Sequence, residues 1–517
     1  MDRPGVEQAP PSRGAAALAG AVASAVSLAV GELLAGLLPG TPPLVASVGA
    51  AVIDVVPRPV KDLAIALVGV NDKVALNIGV TTIAIAIGAL LGIAGVRRRA
   101  VPVVGFWVFG ALGYVAALDE PLASPLLSLI AVALAVTLGL FVLRGLLRAA
   151  TPERTLPGWE PDQDAQRRRF LRLVVGVGAA AAIGAVMGRV LANLRLATGR
   201  ETVALPAPVA ALPTPSAAAE LAIPGLTPIV VPNHDFYRID TRLTVPHVDV
   251  DGWRLRIHGM VEREVSLTFE DLVAMPLDEH YVTIACVSNE VGGRLVGNAR
   301  WTGVALRDLL DMAGVDPQAT QIVGRSTDGW TAGFPTEAAY DGRTALLAVG
   351  MNDEPLPLEH GFPARLIVAG LYGYVSATKW ITELELTTLD GFDAYWVPRG
   401  WAKEAPVKTS SRIDVPRSGD QVAAGTVAVA GVAWAPDTGI AGVEVAIDEG
   451  AWQPARLSEP LSDDAWRQWV FEWDAQPGSH SVAVRATDAG GTTQPEDRTP
   501  PFPDGAEGHH VIRVRVA

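Results

Sequence analysis

Five apolar runs crowd the first 200 residues, at approximately 15–38, 74–96, 101–118, 122–147 and 171–194. Each is long enough, or nearly so, to cross a hydrocarbon layer about 30 Å thick as a helix. Helix is the form such runs must take, because in lipid every backbone N–H and C=O has to find its partner inside the segment. The runs are rich in Ala, Val, Leu, Ile and Gly, and the small residues let neighbouring helices approach closely. The stretch around 41–57 is apolar but interrupted by Pro42, Pro43 and Pro57, and reads as an interfacial or re-entrant loop.

Lys and Arg near span ends set the orientation. Arg97 to Arg99 follow the second run, and Arg144, Arg148 and Arg167 to Arg169 lie between the fourth and fifth, whereas Asp119 and Glu120 mark the turn between the third and fourth. The basic ends belong in the cytoplasm, so five crossings place everything after about 195 outside. Arg58 and Lys61 fall on the outer side against this rule, while Asp54, Asp62 and Asp72 read as solvated loop residues. Arg167-Arg168-Arg169-Phe170-Leu171 ahead of an apolar run also resembles a twin-arginine export signal, here internal. Three arginines that simply hold a helix end in the cytoplasm account for the same residues.

Charge divides along the same line. Residues 1–200 hold 18 Lys+Arg against 12 Asp+Glu, and the remainder carries a balance of −20. A basic membrane half and an acidic outer half lack the positive footprint that nucleic-acid binding needs. A mean hydropathy of +0.30 with 19% charged residues fits one membrane part joined to one soluble part. The single cysteine excludes an intrachain disulfide and any CxxC pattern. All eight histidines lie at or beyond His234, so the membrane half has no histidine for a haem, and with few buried charges it reads as an anchor.

The chain therefore divides into a five-helix transmembrane bundle (1–199), a Pro/Ala-rich linker with Pro206, Pro208, Pro213, Pro215 and Pro224 (200–230), a mixed α+β domain (231–405) and an all-β domain (406–517). The linker reads as an extended tether without a core of its own. In the α+β part, Trp253 to His258 and Arg365 to Val368 read as strands. A helix is expected with Thr302 as its N-cap, Leu306, Leu309 and Leu310 on one face, and Gly314 as its stop. Beyond 405, Val427 to Ala430, Val443 to Ile447, Trp469 to Trp473, Ser481 to Arg485 and Val511 to Val516 are short strands between turns, the spacing of an immunoglobulin-like sandwich.

The segment from Cys286 to Leu310 carries the chemistry. The lone cysteine follows a β-rich run, Tyr281 to Ala285, and precedes a loop with Gly292, Gly293 and Gly297, where backbone can come close to a bound group. A thiolate suits a soft metal, which would deprotonate it. By spacing alone, Cys286 reads first as a small buried hydrophobe and second as a ligand.

The run Gly297-Asn298-Ala299-Arg300-Trp301-Thr302-Gly303 behind this cysteine resembles the molybdenum-ligating loop of the sulfite oxidase family. Pro232 to Arg238 is similar to that family's first pterin-contacting loop, and 351–366 with 370–380 to its second. The resemblance implies a sulfite-oxidase-like molybdopterin domain over about 230–415, with the terminal sandwich as a dimerisation domain. It implies Cys286 as the one protein ligand to molybdenum, beside a single molybdopterin. His360, Arg365 and Lys379, with backbone near Ala377 and Thr378, would hold the pterin or its phosphate. Asn233, His234, Tyr237 and Arg238 would line it from the first loop, and Ser326 from a strand. Taken singly, His360 reads as a structural histidine and Arg365 as a surface charge; the blocks together reverse this.

Oxygen-atom transfer is the implied reaction. A dianion such as sulfite needs cations near the metal, for which Arg238, Arg300 and Arg399 are the candidates. Where animal sulfite oxidases have an arginine soon after the cysteine, this chain has Glu290 and Val291, and their tyrosine near the metal falls at Trp401. Loss of a cation and a phenol weakens the case for sulfite itself. No haem module is expected in this chain, so a separate electron-transfer protein, such as a basic cytochrome c, is expected to meet the acidic outer half. Two rivals stand beside this reading: a reductase of methionine sulfoxide or another S- or N-oxide, and a membrane-tethered adhesion or receptor protein that is no enzyme.

Overall fold

A computed structural model describes residues 10–56, 72–120, 123–151, 163–197, 199–243 and 245–517. Arg58, Lys61 and Asp62 lie outside these residues. The chain forms two compact units, one of residues 1–198 with 242–245 and one of 199–241 with 246–517.

The first unit is helical. Its long helices are α1 (Arg13–Leu37), α3 (Asp72–Arg97), α4 (Ala100–Leu118), α5 (Pro125–Ala150) and α6 (Gln163–Ala197), and between α1 and α3 lies the shorter α2 (Leu44–Val55). The five long ones each contain a stretch apolar enough to cross a membrane. Ser12 and Ser124 cap α1 and α5, each accepting a backbone N–H. The stretch read as a loop at 41–57 is largely helix α2: Pro42 and Pro43 stand just before its start, where proline costs no hydrogen bond. Glycines set the crossings. A Cβ on Gly20 would lie 2.1 Å from the Gly88 carbonyl oxygen, and one on Gly188 2.3 Å from that of Glu32, so α1 meets α3 and α6 backbone to backbone. Glu32 itself is buried on α1, its carboxylate 3.8 Å from Arg189 Nε on α6. Within this unit Arg242 pairs with Glu120 at 2.6 Å.

The second unit holds two layers of mixed structure and a pair of packed sheets. Its elements run β1 (Arg254–Gly259), β2 (Val265–Thr268), α7 (Phe269–Val273), β3 (Asp278–Ala285), β4 (Val296–Ala305), α8 (Leu306–Ala313), β5 (Gln321–Ser326), β6 (Thr331–Pro335), β7 (Ala345–Met351), β8 (Glu354–Pro355), β9 (Arg365–Val368), α9 (Gly373–Ser376) and β10 (Ile381–Thr387). One sheet has the order β2-β1-β10-β5-β6, with β1 and β10 parallel; the other is β3-β4-β7-β8, with β9 also on β7. Strands β4, β7 and β9 are buried along nearly their whole length, and β7 accordingly runs apolar instead of alternating. Helix α8 buries Leu306, Leu309, Leu310 and Ala313 and ends at Gly314, whose φ of 69° suits glycine. Thr302 is not its N-cap. It lies inside β4 with its hydroxyl on Glu279, and Ala305 precedes the helix without a side-chain cap.

The terminal part comprises β11 (Ser410–Val415), β12 (Gln421–Val422), β13 (Gly425–Trp434), β14 (Ile440–Ile447), β15 (Gln453–Pro454), β16 (Arg456–Leu457), β17 (Arg467–Ala475), β18 (Gly478–Asp488) and β19 (His510–Val516). They make two sheets, β11-β13-β17-β16 and β12-β19-β18-β14-β15, that share a core of Val429, Val445, Trp469, Val482, Val484 and others. Strand β19 alternates exposed and buried residues, as a strand with one wet face should.

Residues 200–230 are extended, as expected, but they are laid onto the second unit instead of hanging free. Val209 N donates to Leu277 O at 2.9 Å, Leu212 N to Glu279 Oε2 at 2.9 Å, and Leu221 N to Gln468 Oε1 at 2.6 Å. A surface depression of about 670 Å³ along 215–228 holds none of the site residues expected from the sequence.

Candidate functional site

Strand β3 delivers Cys286 to its C-terminal end, and β4 begins at Val296, so 286–295 is the loop between paired strands. The neck of this loop is pinned. Cys286 N donates to Leu295 O at 2.9 Å, Asn289 N to Cys286 O at 3.0 Å, and Leu295 N to Asn289 Oδ1 at 2.8 Å. Cys286 is 8% exposed. Burial pushes its thiol up, while hydrogen bonds from Ser288 pull the other way. A cation beside the sulfur would release the proton.

The second loop block supplies buried positive groups. Arg365, at the start of β9, is 4% exposed and lies over the Trp301 ring at 5.0 Å. Its Nη1 donates to His360 O at 3.1 Å, and its Nε has no partner among the described residues. Burial lowers its pKa to about 10, partly opposed by Tyr237. His360 is lowered to about 4, first by burial and then by Arg365. Lys379 is lowered to about 8 by burial, with Asp240 opposing at 2.9 Å. Three groups able to carry positive charge thus share one buried place, and Asp240 is bonded to one of them, Lys379. An anion with several acceptor oxygens would answer both the desolvated charges and the unpaired Nε. A pterin phosphate fits that demand.

Tyr237 connects the two halves. Its hydroxyl is pushed up by burial and by the charge of Cys286, and drawn down by Arg365. Its ring stacks on Phe236 at 5.3 Å, and Phe236 meets His360 edge-on at 5.6 Å. Asn233 accepts from His360 through its carbonyl at 3.0 Å and bonds Asn352 and Met351 by its side chain. Gly361, with φ of 113°, lets the chain pass where a Cβ would come within 3.1 Å of Arg365 and Lys379. Thr378 O accepts from Leu366 N at 2.9 Å, Ala377 N donates to Gly373 O at 3.0 Å, and Ser326 Oγ meets Trp380 O at 3.5 Å. Arg238 joins the group through Asp240 at 2.8 Å.

Four expected residues are set apart. His234 is exposed and faces Asp235 at 3.3 Å, because the turn aims Phe236 inward in its place. Arg300 pairs with Tyr281 in the β3–β4 register, five residues before Cys286 and therefore roughly 16 Å along the strand. Its neighbour Trp301 takes the face under Arg365, so strand alternation sends Arg300 the other way, onto Asp353. Arg399 is exposed, 3.8 Å from the Tyr395 ring centroid. Trp401 belongs to an aromatic cluster with Tyr374 at 5.9 Å and Phe502 at 5.3 Å.

Asp240 and Tyr372 escaped the sequence reading. Asp240 buries all but 4% of its side chain between Arg238 and Lys379; only its i, i+2 spacing from Arg238 hints at a shared face. Tyr372 is 5% exposed, and its hydroxyl is raised to about 12 by burial, with the negative charges of Asp504, Cys286 and Glu507 adding to it. Among the described residues no group of three His, Cys, Asp or Glu could hold a metal alone, so a metal here would draw its other donors from a bound group.

Residues 242–396 match the family model described as the oxidoreductase molybdopterin binding domain. A Bacillus subtilis protein called an uncharacterized oxidoreductase, YuiH, is 34% identical over 153 residues, covering 30% of this chain and 74% of that one. The chain belongs to the sulfite oxidase family of molybdopterin-binding oxidoreductases. Human mitochondrial sulfite oxidase is 29% identical over 320 residues, which are 52% of this chain and 58% of the human protein's own length. Among solved structures, the sulfane dehydrogenase SoxCD of Paracoccus pantotrophus is 26% identical, covering 53% of this chain and 76% of that one with a TM-score of 0.46.

Proposed function

We propose that this chain carries out oxygen-atom transfer at a molybdenum held by the Cys286 sulfur and a single molybdopterin, in the manner of a sulfite oxidase. The observation that carries the reading is Arg365, buried with its Nε unpaired among the described residues and lying over Trp301 on the strand that follows the Cys286 loop. When bound, the cofactor supplies a two-electron couple and the exchangeable oxygen. The protein supplies position. Cys286 gives one thiolate, Arg365 and Lys379 meet the phosphate end, and His360 with Asn233 fixes the first loop against the second. Burial holds His360 neutral near pH 7, so its Nε2 donates to Asn233 O without adding charge.

Five helices anchor this enzyme, with the second unit on the extracytoplasmic face and Arg167 to Arg169 serving as its export signal. Residues 1–199 are the anchor, 200–230 the linker, 231–405 the catalytic domain and 406–517 an immunoglobulin-like sandwich through which two copies dimerise. Electrons leave to a basic soluble cytochrome, drawn by the acidic outer half.

A second reading draws on particular residues. Two arginines expected to receive a dianion are engaged elsewhere, Arg300 on Asp353 and Arg399 on Tyr395, while Trp401, Tyr374 and Phe502 form an aromatic cluster of a kind suited to a neutral sulfoxide. Steady-state turnover of sulfite with ferricyanide, against methionine sulfoxide with reduced viologen, separates the two. Molybdenum and pterin analysis of the wild type beside Cys286→Ser tests the shared premise. One molybdenum per chain with turnover abolished in the variant is expected; turnover retained in Cys286→Ser removes the mechanism, and a folded, metal-free wild type from a cofactor-competent host favours an adhesion protein.

A further inference from the structure

Two side chains of the terminal sheets reach the back of the cysteine loop. Arg412, on β11, exposes 7% of its side chain. Its Nε lies on Asp414 Oδ1 at 2.6 Å, its Nη2 on Thr227 Oγ1 at 3.0 Å, and its Nη1 on the carbonyl oxygen of Gly293 at 2.8 Å. On β19, His510 accepts from Ile413 N at 3.0 Å. Its ring fills the space where a Cβ of Gly292 would stand, 2.4 Å away, and Gly292 has φ of 78°. One loop residue is therefore held by a charged donor, and its neighbour is shaped to receive an imidazole. A charge-assisted bond in a buried place fixes a carbonyl more firmly than a neutral one, and Asp414 balances the charge.

The constraint passes along the loop. Gly293 N donates to Glu290 O at 2.8 Å, Leu295 N to Asn289 Oδ1 at 2.8 Å, and Cys286 N to Leu295 O at 2.9 Å. We propose that Arg412 and His510 are positioning residues that clamp the 286–295 loop and fix where Cys286 presents its sulfur. The terminal sandwich is then part of the catalytic apparatus as well as a contact surface. Its consequence for turnover rests on Cys286 as metal ligand; the clamp itself does not.

The test uses the full-length chain in detergent, prepared with and without cofactor. Without cofactor, Arg412→Met is expected to raise the rate of Cys286 alkylation by iodoacetamide about tenfold and to speed hydrogen exchange at Gly293 and Leu295. Arg412→Lys restores part of the protection, because one ammonium reaches fewer acceptors than the fork. Gly292→Ala opens the loop similarly, and adding His510→Ala relieves its steric share. Arg485→Met, which breaks a pair with Glu444 elsewhere in the sandwich, leaves both readings unchanged. In the loaded enzyme, Arg412→Met lowers kcat with KM unchanged and shifts the thiolate-to-metal absorption band. Unaltered alkylation and exchange in both Arg412→Met and Gly292→Ala overturns the clamp; where Arg412→Met does not fold, the Gly292 and His510 variants decide. A wild type that binds no molybdenum, yet shows the expected alkylation changes, overturns the functional reading and leaves the clamp standing.

Discussion

Arg365 shows what burying a single charged residue costs. A buried guanidinium whose Nε is unpaired among the described residues opposes folding more than it helps. Arg365→Met, close in volume, should leave the thermal midpoint of the cofactor-free chain unchanged or raised, while the pterin content of protein made in a cofactor-competent host falls severalfold. A midpoint lowered by more than a few degrees would mean that Arg365 is structural. The histidines give a pH prediction with a definite sign. His360 and His510 are each lowered from 6.5 to about 4. Between those values the unfolded chain binds protons that the folded chain refuses, so stability falls as pH drops from about 6.5 toward 4. Each histidine accounts for up to about 3 kcal/mol over the full window. Denaturation of the cofactor-free chain between pH 6.5 and 5, above the ordinary carboxylate range, should show this slope, and His360→Gln should remove about half of it.

Among elements, the α1–α6 crossing makes the sharpest claim. Gly188 meets the Glu32 backbone with no room for a Cβ, whereas Gly176, Gly178 and Gly184 on the same helix have nothing within 4 Å. Gly188→Val should destabilise the helical unit by about 1–3 kcal/mol in detergent unfolding, as overpacking does, and Gly176→Val should be silent. Equal effects would place the crossing elsewhere. The sequence already marked these glycines as points of close approach, but not which of them serve. Strands and helices differed in how legible they were. Val511 to Val516 alternates and Leu306 to Leu310 follows the helical period, so both announce themselves. Thr302 misled because a threonine before an apolar helical run looks the same whether it caps the helix or sits in the strand feeding it; the pairing of β4 with β3 and β7 decided it.

At the scale of the whole molecule, charge placement predicts topology. Arg97 to Arg99 and Arg167 to Arg169 are expected in the cytoplasm and residues after 199 outside. Alkaline phosphatase fused after Ala517 should be active in a bacterial host; an inactive fusion would invert the orientation. The balance of −20 beyond residue 200 predicts that reduction of a basic cytochrome c slows several-fold between low and physiological salt. A salt-independent rate would remove the electrostatic docking.

Linear sequence determined what depends on composition and short spacing: helices apolar enough to cross a membrane from uninterrupted apolar runs, and strands from alternation. Tertiary structure decided what depends on direction. Arg300 and Trp301 are adjacent in sequence, yet one turns to Asp353 and the other lies under Arg365, because neighbouring side chains on a strand point to opposite faces. Arg412 reaches the cysteine loop from a distant strand, and nothing in its local sequence distinguishes it from other basic residues. Only the folded chain brings a charge and its partner into one desolvated place, where their interaction is strong enough to matter.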